Sequence, residues 1–298
     1  MATRLSHFNH KTSFFTKSRS NPRRPSPRCI VAMARTQSYW ASVEAEIEAY
    51  LKKSIPIRSP ETVFEPMHHL TFAAPRTTAA ALCVAACELV GGGRDQAMAA
   101  AAAIHLMHAA AYTHEHLPLT DRPRPRPGIQ HKYDPNIELL TGDGIIPFGL
   151  ELLARSMDPA RTKPDKILRV IVEITRATGS QGMVDGQYQE LGLDQLGSEY
   201  DIIEYVCRKK EGELHACGAA CGAILGGGAE EEIETLRRFG LHAGMVQGIQ
   251  GKKKAGLMEE KIEKLKELAH KELKSLKGKK TELISSLIEP SVAAVQIS

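Results

Sequence analysis

Acidic side chains are missing from the first 43 positions of this 298-residue chain, which instead carry eight basic ones: Arg4, Lys11, Lys17, Arg19, Arg23, Arg24, Arg28 and Arg35. The remainder holds 31 basic against 35 acidic residues, a balance of −4 where the whole chain has +4. A mildly acidic body lacks the basic surface that phosphate-backbone binding requires, so nucleic acid is excluded as a partner. A long apolar run is absent too. The alanine-rich stretch Gln96–Thr113 contains His105 and His108 and falls short of a spanning helix, so no transmembrane segment is expected. Aromatic residues make up 5% of the chain, with one Trp, and strand-like alternation occurs nowhere, which argues against a sheet-based fold. The six cysteines come without a secretory signal, so structural disulfides are not the default.

The acid-free N-terminus is rich in Ser, Thr and Arg and dense in proline around Asn21–Arg28. It reads as an organelle-targeting segment, with a candidate processing site in Cys29–Met33. Its hydroxyl content favours plastid over mitochondrion; a plain basic tail is the alternative. Residues 1–40 are accordingly assigned to a transit peptide and N-terminal tail, and 41–298 to one domain.

That domain is expected to be all-α. Val43, Ile47 and Leu51 mark an amphipathic helix over Ala41–Lys53, ended by Pro56 and Pro60. Alanine-rich helices are expected over Thr77–Val90, stopped by Gly91-Gly92-Gly93, and over Asp95–His114. A proline-dense loop follows from Pro118 to Pro135. Further helices are expected over Ile137–Arg155, Lys166–Thr178, Asp194–Leu225, Glu230–Gly244 and Leu257–Lys277, the first three separated by Pro159, Pro164 and the Gly179–Gly192 connection.

Two C-x-x-x-C elements, Cys83/Cys87 and Cys217/Cys221, lie on predicted helices, where i, i+4 spacing puts both thiols of a pair on one face. Three readings are open. A zinc site built from all four thiols would normally use knuckle spacings in turns, and a disulfide does not fit i, i+4 geometry within a helix. Close helix packing, with cysteine as a small hydrophobe among Ala and Gly, is the third, within this chain or against another.

Several runs, in order across about 240 residues, are similar to short-chain trans-prenyltransferases, especially plant geranylgeranyl diphosphate synthases. They are Ala85–Gly92, Leu117-Pro118, His131-Lys132, Leu140–Asp143 and Gly222–Gly228. The resemblance implies an isoprenoid synthase-type helical bundle. It also implies two aspartate-rich motifs that hold Mg²⁺ against a diphosphate, because Mg²⁺ demands hard oxygen ligands. The first motif corresponds to Glu115–Asp121, where only the ends keep a carboxylate and His116 stands in place of an aspartate. The second corresponds to Met245–Lys254, which has no carboxylate and three lysines. Ammonium groups repel a cation, so no catalytic or metal-binding residue is assigned. The homoallylic diphosphate pocket is reduced to Arg76, and the arginine pair to Arg122, Arg124 and Arg126. His108 and Lys210 match substrate-contacting positions. Arg76, His108, Glu115, Asp121, Arg124 and Lys210 are thus expected as vestiges of a substrate site; for His108 and Lys210, a polar core residue and a solvated charge are the plain alternatives.

The paired C-x-x-x-C elements, with Tyr205–Ala216, narrow the resemblance to the type II small subunits of plant heterodimeric geranyl(geranyl) diphosphate synthases. That implies a chain inactive alone, without a cofactor of its own, and a heterodimer with a catalytic large subunit whose Mg²⁺-dependent activity and product length it alters in the plastid stroma. It also implies that Cys83, Cys87, Cys217 and Cys221 serve partner binding. A scaffold that merely tethers the synthase, and a weakly active prenyltransferase using Glu115 and Asp121, are the alternatives.

Overall fold

Good helix formers punctuated by glycine and proline give a fold built of helices alone. The computed structural model describes residues 27–118, 131–156, 163–191, 199–252 and 255–289, and no strand occurs among them. The α-helices are α1 (Pro27–Ser54), α2 (Glu61–Ala73), α3 (Thr78–Val90), α4 (Arg94–His116), α5 (Pro135–Arg155), α6 (Pro164–Thr178), α7 (Met183–Leu191), α8 (Glu199–Cys207), α9 (Glu213–Gly226), α10 (Glu230–Gln250), α11 (Glu259–Ser275) and α12 (Glu282–Ser285). A π-helical turn, Arg208–Gly212, joins α8 to α9 without a break.

Helix α9 is the axis of the bundle, flanked by α3, α10, α6 and α4. Every residue from Leu214 to Leu225 is buried, as is every residue of α3 from Ala79 to Cys87 and of α4 from Ala97 to Met107. Helices that are apolar on all sides must lie inside a larger core. Their small side chains decide how closely they pack. A Cβ built on Gly222 would stand 1.9 Å from the Cys83 carbonyl oxygen, and one on Gly218 would stand 2.3 Å from that of Ala79. The backbones of α3 and α9 therefore touch with no side chain between them. Both helices end in left-handed glycines, Gly91 (φ 105°) and Gly227 (φ 83°), which explains the two glycine triplets.

The described helices depart from the sequence expectation at several places, among them the end of α10, which lies at Gln250 and not Gly244. The division at residue 40 falls inside α1: Trp40 is 5% exposed and its Nε1 donates to Ser286 Oγ at 3.0 Å, while Tyr39 bonds Glu88. The compositional edge was set by the missing acids, whereas the apolar register Trp40–Val43–Ile47–Leu51 sets the fold. Residues 1–26, the greater part of the expected transit segment, lie outside the described residues. Helix α2 was not expected because Pro66 sits inside it. The Gly179–Gly192 connection, expected only to separate two helices, contains α7.

Candidate functional site

A cavity of about 530 Å³ opens between the α2–α3 connection, α4, the π turn and the end of α10. Its walls include Arg76, His108, Tyr112, Glu115, His116, Lys210, Gln247, Gly248 and Lys252. Four of the six expected vestigial residues thus converge on one cleft. Asp121 and Arg124 lie outside the described residues.

Convergence does not leave all of these groups equally engaged. Arg76 is turned outward to α1, its guanidinium ion-paired with Glu44 (3.1 Å) and with Glu48. The imidazole of His108 is held by the backbone of Pro75, but its Nε2 is buried without a hydrogen-bond partner. Burial, reinforced by neighbouring His105 and His215, pushes its pKa down to about 3, so the ring is neutral. His116, at the position of an aspartate in the resembled motif, stacks on Tyr112 (centroids 4.1 Å) and its Nδ1 lies 2.7 Å from the Tyr112 carbonyl. The structure adds a polar chain across the floor: Thr78 Oγ1 lies 2.7 Å from His215 Nε2 and donates to Gln247 Oε1 at 2.6 Å.

Two lysines of the cleft wall are paired with Glu115 on the wall and with Glu190 on α7. Lys210 Nζ lies 2.9 Å from Glu115 and 2.6 Å from Glu190; Lys252 Nζ lies 2.8 Å from the other oxygen of Glu190. Burial alone would raise the pKa of Glu190, but the two ammonium groups outweigh it and hold the carboxyl at about 2. Its contribution to stability is therefore complete above the ordinary carboxylate range and is lost only as pH falls toward about 2. Sequence reading missed Glu190 and Gln187, which also accepts from Lys210 (2.8 Å), because both sit on the unexpected helix α7. It treated Lys252 only as one member of a basic run.

This donor set does not fit Mg²⁺. Helix α10 continues to Gln250, so the cleft receives Gln247, Gly248 and Lys252 where carboxylates would be needed. Glu115 and Glu190 are already paired with ammonium groups. Among the described residues no group of three His, Cys, Asp or Glu side chains could hold a metal ion.

The cysteines expected to serve partner binding lie inside this chain. Cys83, Cys87, Cys217 and Cys221 are all at most 2% exposed, on α3 and α9, and Cys221 Sγ lies 4.0 Å from the Val170 carbonyl of α6. They do not form a surface that a partner could touch; small-residue stripes look alike whether the facing helix is in the same chain or another. All five described cysteines are free thiols, and Cys217 Sγ stands 3.7 Å from Cys221 Sγ, far from the bonded distance of about 2.05 Å. Burial raises the thiol pKa of Cys87 to about 12 and of Cys83 and Cys221 well above the ordinary value, so these three are poor thiolates. Replacing Cys83 or Cys221 by Ser should lower folding stability by about 1–3 kcal/mol, since a hydroxyl would be buried there, with Ala milder. Denaturation midpoints check this; a chelator or reductant that lowered the wild-type midpoint would contradict it.

Comparison with known proteins places this geometry. The polyprenyl synthetase family model matches residues 60–250. A chloroplastic heterodimeric geranylgeranyl pyrophosphate synthase small subunit 2 from Cannabis sativa is 55% identical, over 84% of this chain and 90% of its own length. The crystal structure of the geranyl diphosphate synthase small subunit from Antirrhinum majus superposes with a TM-score of 0.81 at 70% identity, covering 85% of this chain and 98% of that one. A mint deletion mutant of heterotetrameric geranyl pyrophosphate synthase, in complex with ligands, contains a chain 64% identical with a TM-score of 0.78, covering 85% of this chain and all of that one. The cleft walled by Gln247, Gly248 and Lys252 thus lies on a chain that belongs to the polyprenyl synthetase family, among the small subunits of heterodimeric geranylgeranyl and geranyl pyrophosphate synthases.

Proposed function

We propose that this chain is the non-catalytic regulatory small subunit of a plastid prenyltransferase, without a metal of its own, acting on a catalytic geranylgeranyl diphosphate synthase large subunit. The observation that carries this reading is the pairing of Lys210 and Lys252 with Glu115 and Glu190, which puts ammonium groups where divalent cations would have to sit. Ionisation of an allylic diphosphate needs that charge stabilisation, and two lysines already paired with carboxylates do not supply it. His108, Glu115 and Lys210 are remnants of a diphosphate site on this reading, and Arg76 has been drawn away to α1.

Partner binding is supported by the outward faces of α5 and α6. Leu140 is 66% exposed, Leu168 62% and Val172 55%, with Ile137 beside them. Adjacent helices that keep apolar side chains in water are suited to burial against another chain. Several relatives are named as small subunits of heterodimers, and the mint neighbour belongs to a heterotetramer, which supports a large subunit as the occupant. The relatives' chloroplastic names and the acid-free N-terminus support the plastid. A subunit docked there acts by repacking helices that floor the partner's elongation cavity, because close-packed interiors transmit strain.

The decisive test is to mix the purified chain with a catalytic large subunit and measure complex formation and the chain lengths of the prenyl diphosphates made. A stable complex with altered rate and product distribution is expected. A complex whose products and rates match those of the large subunit alone would support tethering instead.

A further inference from the structure

Helix α7 is fastened in an unusual way. Of its nine residues only Met183 and Gly186 are buried, while Val184, Tyr188 and Leu191 at i, i+4 and i+7 face outward. A helix normally holds its place by an apolar face; this one turns its apolar stripe to solvent. Its attachments are polar and come from consecutive lysines of the π turn. Lys209 Nζ donates to the Gln181 carbonyl at 2.6 Å and lies 3.2 Å from Asp185, which also accepts from Tyr205 at 2.6 Å. Lys210 Nζ donates to Gln187 and Glu190, and Lys252 reaches Glu190 from the end of α10. The widened π turn is what aims both lysines at one neighbour, and Gly186 lets α7 sit close, since a Cβ there would lie 2.8 Å from carbons of Lys209 and Lys210.

Each oxygen of Glu190 thus meets one ammonium group, as two oxygens of a bound anion would. We propose that Glu190 is a built-in counterion occupying an anion site formed by Lys210 and Lys252, and that α7 is the strap that carries it. The clasp is self-filled: an incoming polyanion must displace a carboxylate that is covalently part of the chain and so is present at high effective concentration. The consequence is that the cleft rejects metal-free diphosphates although it is lined with cations. This depends on the local geometry and not on whether the chain is catalytic or which partner it binds.

The test uses the purified chain in excess chelator, with inorganic pyrophosphate as the probe and calorimetric titration as the readout. Glu190→Gln keeps the shape and removes the charge, and should bind pyrophosphate at least about tenfold more tightly than wild type, equivalent to about 1.4 kcal/mol. Adding Lys252→Gln to that variant should abolish the gain. Equal affinity in wild type and Glu190→Gln, or a gain that survives loss of Lys252, overturns the proposal. A second measurement on wild type does not depend on the variant's folding. Raising salt from about 0.05 M to about 1 M, which weakens the more exposed pairs of Lys252 with Glu190 and of Lys209 with Asp185, should speed amide exchange across 183–191 while α9 remains protected. Unchanged exchange in α7 overturns the strap.

Discussion

Gly222→Ala is expected to destabilise the isolated chain by about 3 kcal/mol or more, lowering the melting temperature by roughly 6–12 °C. One methyl group has this effect because its carbon would fall 1.9 Å from the Cys83 carbonyl oxygen and 3.0 Å from the Cys87 amide nitrogen. Both are main-chain atoms of a fully buried helix, so no side-chain rotamer can relieve the clash; α3 and α9 must separate along their length. Gly144→Ala is the internal control. It lies in the interior of α5 with nothing within 4 Å of its added carbon, and alanine's better helix propensity should leave stability unchanged or raise it by up to about 1 kcal/mol. Thermal melts of the two variants side by side separate a packing effect from a general intolerance of substituted glycines. Similar small shifts in both would remove the close helix contact from the account of the core.

The second large effect is catalytic. With allylic and homoallylic diphosphates and Mg²⁺, the chain alone should turn over at least about 10³-fold more slowly than a catalytic relative assayed in parallel, since the metal-held charge stabilisation is worth several kcal/mol. Placing single carboxylates at Gln247 or Lys252 should not restore turnover: a cation site needs several oxygen ligands at once, and Lys210 would still neutralise Glu115. Product formation by the wild-type chain that vanished on Glu115→Gln would show that an unconventional site operates and would defeat the non-catalytic reading.

Most of the fold was legible because it was written in periodicity and punctuation. The alanine-rich helices and the two glycine triplets located α3, α4 and the end of α9 within a residue or two, since nothing in their surroundings contradicts local propensity. Helix α2 was hidden by Pro66, which the local pattern treats as a breaker although the chain tolerates it there. Helix α7 was hidden by its sparse apolar spacing and its glycine, and with it went Glu190. Of the site, the absence of carboxylates from Met245–Lys254 was plain in the sequence. The capture of Arg76 by α1 was not, because Glu44 and Glu48 lie some thirty residues away and meet it only through folding. The cysteines show the opposite limit: their spacing correctly marked a close helix contact, and no spacing could say which chain supplies the second helix.

Trp40 is the chain's only tryptophan, wedged inside α1 with its ring edge-on to Tyr39 and its indole N–H bonded to Ser286 near the far end of the described chain. Its fluorescence therefore has a single source, and that source sits where the first and last helical elements meet. A blue-shifted emission reports that this seam is closed, and a red shift reports its opening even if the α3–α9 axis stays intact. Docking of another chain or melting of the first and last described helices can each be followed through this one indole, with no label attached.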